Sequence, residues 1–391
     1  MYKLPPINRN LKLLLAMNSF FALANGLLMP VLYPYLLHLG LKGGDVGLLN
    51  GITGLSMAVS LVPAAYLADA KGRKPLALAA LSTSPLAILL LLTGNPVALV
   101  ASFALNGVLS AAANVSLNPL FADSVEKDQH MDAVFSFSQI LSLIFSSVGA
   151  ALTWPLLSMS TQLGGVVGSY RAAFLLCALF FTASIFLLLG VKESRGRRTE
   201  RFSLKVSPVS LKLAGLGGLI AFGAGIGIWN INYWFSRKYG VEAAELGALS
   251  VAGNLVMVAT TALAPAFSSK LGTLSAVVLL QLSSIPLFLM VALSASFIHA
   301  AAFYTLRSAI MNASNPLVSS LQMRLVKPEE RARMSMLNVL AWQVAGAAGA
   351  MLGGYLMDAW LDMPIYITCV IYLAQTALFY AALRPHVTNR R

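Results

Sequence analysis

Apolar residues run along this chain in long uninterrupted blocks, with neither the alternation of a half-buried strand nor the polar stripe of a surface helix. Each block is closed by a charge, a glycine or a proline. The blocks fall at 11–38, 45–68, 75–94, 97–122, 132–157, 171–191, 211–236, 244–267, 272–294, 297–322, 334–357 and 364–383. A membrane-crossing helix needs about 20 predominantly apolar residues, so the pattern predicts twelve transmembrane helices. The first block follows Lys3 and Arg9 and holds Ala22, Ala24 and Asn25 in the manner of a cleavable leader, yet it continues to Leu39, too far for a signal core. It is read as the first span.

Composition points the same way. Of 391 residues, 58% are hydrophobic and 10% charged, against about 25% charged in an ordinary soluble domain. Cys177 and Cys369 each lie inside an apolar block, which leaves no disulfide framework or thiolate metal site and makes them packing residues. The net charge of +13 would suggest a nucleic-acid partner if it covered one soluble face. Instead, 22 of the 27 lysines and arginines fall in segments on the N-terminal side of the spans. Lys42, Arg171, Arg237 and Lys238 fall opposite, and Arg307 inside a span. By the excess of positive charge in cytoplasmic loops, both termini are expected in the cytoplasm of a multi-pass cell-membrane protein, and no nucleic-acid partner is expected. The short loops favour a prokaryotic plasma membrane.

The longest polar connection, 192–210, divides the chain into expected domains at 1–191 and 211–391, with a cytoplasmic linker between them. A shift of 200 aligns the two parts without a gap from 11 to 72 with 12 identities, among them Leu11-Lys12-Leu13 on Leu211-Lys212-Leu213, Tyr33 on Tyr233, Gly47 on Gly247 and Gly72 on Gly272. Later, Asn118-Pro119-Leu120 recurs as Asn315-Pro316-Leu317, and Gly149-Ala150 as Gly349-Ala350. Such a parallel repeat of six spans characterises one large transporter architecture.

Between the second and third spans stands Ala65-Tyr66-Leu67-Ala68-Asp69-Ala70-Lys71-Gly72-Arg73-Lys74. This resembles the G-x-L-A-D-x-x-G-R-K loop of the major facilitator superfamily, with only the leading glycine replaced. The resemblance covers essentially the whole chain. It implies an all-α membrane protein of twelve transmembrane helices in two pseudo-symmetric six-helix bundles, which rock about a central cavity to give alternating access. It also implies a cytoplasmic gate: Asp69 latching to the start of span 11 beside Arg331 and Arg333, a tight turn at Gly72, and Arg73 paired with Asp123. The glycine-rich run from Gly346 to Gly354 is similar to the family's span 11, and there small residues let helix backbones approach. Phe103 stands where family antiporters carry a membrane arginine in span 4, and their glycine-proline pattern in span 5 is replaced by Ser147-Val148-Gly149-Ala150-Ala151. A drug:proton antiporter is therefore not supported.

All fourteen acidic residues lie at span ends or in loops, so no mid-membrane carboxylate is available to carry a proton; His38, His130, His299 and His386 lack metal-ligand spacing. Arg307 lies about ten residues into span 10, and an intramembrane arginine marks a functional site or is satisfied by its own bundle. Met311, Ser314 and Asn315 share its helical face. Asn18, Asn25, Met29 and Tyr33 form a stripe on span 1, and Asn106, Ser110, Asn114 and Asn118 one on span 4. Trp229, Asn232 and Tyr233 fall on span 7, and Asn338 and Trp342 on span 11. These are helices that line the cavity in the family. Asparagine facing lipid would leave its amide unpaired, so each faces protein or water, as interhelical glue or as a solute contact. The substrate-binding candidates are Arg307, Asn25, Tyr33, Asn114, Asn118, Trp229, Tyr233, Asn315 and Trp342.

The expected function is secondary active or facilitative transport of a small organic solute, neutral or anionic, by a monomer in the lipid bilayer. No cofactor or metal is expected, and the coupling ion is unassigned. The alternatives are a multidrug-type efflux transporter for lipophilic compounds, or a non-transporting receptor or scaffold on the same fold. The absence of H-E-x-x-H, G-x-S-x-G and Walker A patterns argues against an enzyme or an ATP-driven pump.

Overall fold

The computed structural model of the chain describes residues 8–125, 131–193, 207–327 and 330–388. The central stretch of the linker, along with Lys127 and His130, lies outside the described residues. Among the described residues, consistent with the twelve expected spans, are fifteen helical segments: α1 (Arg9–His38), α2 (Gly43–Lys71), α3 (Arg73–Leu92), α4 (Pro96–Asp123), α5 (Met131–Ala151), α6 (Thr153–Ser158), α7 (Val166–Leu189), α8 (Pro208–Gly227), α9 (Ile231–Tyr239), α10 (Ala243–Leu271), α11 (Thr273–Leu293), α12 (Phe297–Ala313), α13 (Asn315–Leu325), α14 (Arg331–Ala359) and α15 (Met363–Thr388).

Three spans are interrupted, and two interruptions have a proline behind them. A proline inside a helix removes one hydrogen bond and crowds the carbonyl four residues earlier. Pro155 does this to Ala151 where α5 gives way to α6, and Pro316 does it to Asn312 where α12 gives way to α13 at Ser314. The third break, between α8 and α9, contains the fully buried Asn230, whose side chain accepts from Asn50 at 2.7 Å and donates to the Ala350 carbonyl at 3.0 Å. Pro119, the counterpart of Pro316 in the repeat, lies within a continuous α4. The matched prolines therefore break only one of their two spans.

The chain forms two compact units, one of Met1–Gly40, Ile52–Arg201 and Glu242–Val251, the other of Leu41–Gly51, Phe202–Val241 and Ala252–Arg391. In the first, α1 and α5 touch backbone to backbone. A Cβ placed on Gly26 would lie 2.0 Å from the Ser146 carbonyl oxygen, and one on Gly149 2.1 Å from that of Leu23. Leu14, Met17, Leu81, Leu109 and Leu188 form an apolar core of this unit. Asn18 donates to Ser138 at 3.1 Å and to Ser142 at 2.6 Å, binding α1 to α5. Cys177 is buried against the Ala24 carbonyl.

In the second unit α8 and α14 repeat the arrangement. A Cβ on Gly349 would lie 2.2 Å from the Phe222 carbonyl oxygen, one on Gly353 2.1 Å from that of Ile226, and one on Gly225 2.1 Å from that of Gly346. Leu213, Val277, Leu280, Leu317 and Phe379 form this unit's core. The first turns of α2 dock on the end of α14: Gly47 sits against the Ala350 carbonyl, and Asp358 accepts from the backbone of Gly43 at 2.9 Å and Gly44 at 2.7 Å. A carboxylate at a helix start satisfies N–H groups that have no partner within the helix. Arg237 completes this cap, 2.7 Å from Asp358.

The glycine contacts give a paired expectation. Gly349→Ala forces α8 and α14 apart and should lower stability by about 1–3 kcal/mol. Gly215→Ala, on α8 where a Cβ meets nothing within 4 Å, should hold or raise it. Thermal unfolding of the two variants in detergent, followed by size-exclusion chromatography, checks the difference.

Candidate functional site

A cavity of about 430 Å³ lies inside the second unit, walled by α8, α11, α12, α13, α14 and α15. Small-molecule sites typically measure about 300–1,000 Å³. Helical spacing puts Arg307, Ser308, Met311 and Asn312 on one face of α12, and Asn315 continues it into α13; all five line the cavity. Opposite elements supply Trp229 at the α8–α9 break, Gln281 of α11, Asn338 and Trp342 of α14, and Tyr372 and Gln375 of α15. Among the described residues that line it, none is acidic.

Arg307 is 4% exposed. Its guanidinium carbon lies 4.8 Å from the Phe288 ring centre and 5.4 Å from that of Tyr372, within range for a cation held by ring faces. Its Nε and Nη2 have no hydrogen-bond partner, and neither do the side-chain oxygens of Asn338 and Gln375. Asn315 donates to Asn312 at 3.1 Å, and Gln281 lies 3.4 Å from the Thr376 hydroxyl, which donates to the Tyr372 carbonyl at 2.7 Å. Buried polar groups are almost always paired. Two donors and two acceptors without protein partners thus belong to residues that line one cavity.

Of the residues singled out from the sequence, Arg307, Trp229, Asn315 and Trp342 share this cavity. Tyr233 does not line it; the residue is fully buried and its hydroxyl donates to the Leu41 carbonyl at 2.9 Å. In the first unit, Asn25 and Asn114 each donate to the carbonyl four residues earlier in their own helix, those of Phe21 and Ser110. Asn118 is exposed on α4 and Tyr33 buried on α1. Sequence reasoning passed over Gln281 and Gln375. Their signal was available, since each is a lone amide within an otherwise apolar stretch of its span.

At the α2–α3 turn, Gly72 has φ +101°, a conformation side chains disfavour. Arg73 Nη1 lies 2.5 Å from Asp123 Oδ2, tying the start of α3 to the end of α4. The Arg73 backbone N–H also donates to Glu193 at 2.6 Å, and Lys74 donates to the carbonyls of Leu189 and Val191 at the end of α7. Glu193 thus caps α3 from the segment read as linker, a role its sequence position gave no sign of. Asp69 is exposed at the end of α2, and Arg333 lies in the first turn of α14.

Helical spans throughout the described residues, an internal repeat and a polar cavity in the second repeat define a polytopic membrane protein with the architecture of a transporter. The major facilitator superfamily model matches residues 14–350, and the chain belongs to that family. Similar solved structures include a bacterial homolog to the human lysosomal transporter Spinster, in an inward-facing and occupied conformation (TM-score 0.77, 15% identity, 96% of each chain covered). The nucleoside transporter NupG is also similar (0.70, 13%, 95% of this chain and 98% of that one). So is a D-xylose-proton symporter (0.74, 12%, 95% and 96%). At these identities the likeness is one of fold. No curated protein matches the chain in sequence.

A buried cation with two of its three nitrogens unmatched adds little to the fold that holds it, because desolvation outweighs what ring faces and a single neutral partner return. Arg307→Met should therefore leave the ligand-free protein within about 1 kcal/mol of native stability, or more stable. An arginine serving as structural glue would instead cost about 3–5 kcal/mol on removal. Thermal unfolding without added solutes separates the two.

Proposed function

We propose that the chain is a secondary active or facilitative transporter that moves a small neutral or anionic organic solute by alternating access, with the solute bound in the cavity around Arg307. The observation that carries this reading is the buried Arg307, lining a solute-sized cavity with two N–H donors unpaired. An arginine at membrane depth is costly, and is retained where it faces protein or a water-filled cavity with work to do. A cationic solute would meet its charge with no carboxylate to offset it. Trp229, Asn315 and Trp342 contribute the wall beside it. Asn25, Tyr33, Asn114 and Asn118 are the first unit's candidate solute contacts, and Tyr233 holds α9 in place in the second unit through its hydroxyl.

The cycle proposed is the rocking of two bundles, 1–191 and 211–391, joined by the linker 192–210. The chain acts as a monomer in the cell membrane, with both termini cytoplasmic. Asp69, Gly72, Arg73, Asp123 and Arg333 form the cytoplasmic gate, whose ionic contacts are weak enough to break and reform: an exposed pair contributes about 0–1 kcal/mol. Asp358, holding the first turns of α2, supplies a comparable releasable contact at the other end of that helix.

The test is uptake into proteoliposomes of a panel of organic anions, neutral hydroxylated solutes and lipophilic cations. Saturable uptake of an anion or neutral solute is expected, with Arg307→Gln reducing it at least tenfold and Asp69→Asn slowing turnover without changing binding. Uptake confined to lipophilic cations, or none by folded protein, would sink the reading.

A further inference from the structure

We infer that the cavity of the second unit is a monocarboxylate site, made for a solute that bears one carboxylate and, apart from it, a neutral hydrogen-bond donor such as a hydroxyl. This rests on the reading of that cavity as the solute site and adds the chemical class of the solute.

The two unpartnered nitrogens of Arg307, Nε and Nη2, are the pair that shares one edge of the guanidinium. Their N–H bonds run parallel, and that edge is the fork that meets the two oxygens of a carboxylate in a bidentate pair. Phe288 and Tyr372 hold the guanidinium through ring faces, which attract charge but do not replace a charged acceptor. A small rotation of the long side chain exchanges ring contact for carboxylate, so the charge that is unmatched in the empty site becomes matched in the filled one.

Charge count selects a monoanion. Among the described residues that line the cavity, Arg307 is the single cation and no acid accompanies it. One carboxylate brings the site to neutrality. A phosphate monoester in its dianionic form, or a dicarboxylate, would leave a net negative charge in a low-dielectric setting, which is strongly disfavoured. The two orphaned oxygens, Asn338 Oδ1 and Gln375 Oε1, call for donors on the solute. A hydroxyl or an amide N–H meets them without charge, whereas an ammonium would restore the imbalance. Trp229 and Trp342 offer rigid apolar surface for the rest of the molecule.

The test uses the purified full chain in detergent, with binding followed by thermal shift and intrinsic tryptophan fluorescence. The probes are 3-phenyllactate, its methyl ester, 3-phenylpropionate, phenyl phosphate and phenethylamine. The acid should bind. The ester should bind about 30-fold or more weakly, as expected when a buried charge pair loses one partner. Loss of the hydroxyl in 3-phenylpropionate should cost about two- to tenfold, and phenyl phosphate should bind less tightly than the acid. Arg307→Lys keeps the charge and loses the fork, and should weaken the acid about tenfold while leaving the ester unchanged.

Ester and acid of equal affinity, an Arg307→Lys variant indistinguishable from native, tighter binding of phenyl phosphate, or no shift with the acid would each overturn the inference. Binding of the ester or of phenethylamine in the acid's place overturns the carboxylate assignment and leaves a solute site in the cavity. Binding of the acid by a protein that fails every uptake assay removes transport and leaves the site.

Discussion

Inside hydrocarbon two helices gain nothing by excluding water from between them, so a bundle holds together only where backbones come close enough for dense packing or where polar groups meet. The contacts at Gly149 and Gly349 are where this chain satisfies that constraint. Each glycine lies two hundred residues from the other, and each receives a carbonyl of the neighbouring helix, Leu23 or Phe222, at a distance no side chain would permit. Once α1 is seated on α5 and α8 on α14, the leucine-rich faces around them have fixed neighbours. The span breaks, the caps and the cavity take their places from that seating.

The same solvent sorts the polar residues. A donor or acceptor in lipid has no water to turn to, so those within the spans are matched or face an aqueous space. Asn18 is matched by two serines of α5, and Asn230 by Asn50 and the Ala350 carbonyl. Against this background the hydroxyls of Ser84 and Ser236 are unmatched singly, whereas the edge of Arg307 and the oxygens of Asn338 and Gln375 are unmatched around one cavity. The distinction between glue and site, which is undecidable for any one asparagine in the sequence, becomes a statement about which groups have partners.

The large features were readable from the chain because lipid imposes them one residue at a time. Block length gave twelve spans, and the repeat of Gly149-Ala150 as Gly349-Ala350 marked helices that prove to be backbone contacts. Arg307 was conspicuous as a charge in an apolar run, and its companions Met311 and Asn315 followed from helical spacing. What escaped depended on distant segments meeting. Gln281 and Gln375 reach the cavity only because α11 packs beside α12 and α15 beside α8 and α11, and Glu193 caps α3 only because the end of α7 returns to it. Tyr233 shows the converse, a residue on a promising stripe whose hydroxyl is taken by the carbonyl of Leu41. The matched prolines differ in effect, since Pro316 coincides with a break and Pro119 sits in an unbroken helix.

The burial of Cys177 and Cys369 carries a practical consequence. With both sulfurs packed inside their units, Cys177 against the Ala24 carbonyl and Cys369 against that of Ile285, the unaltered chain offers little to a water-soluble maleimide. A reporter thiol introduced at any exposed position will therefore be labelled over a nearly silent background. The movements of this transporter can be followed spectroscopically in its own sequence, without first stripping it of cysteine.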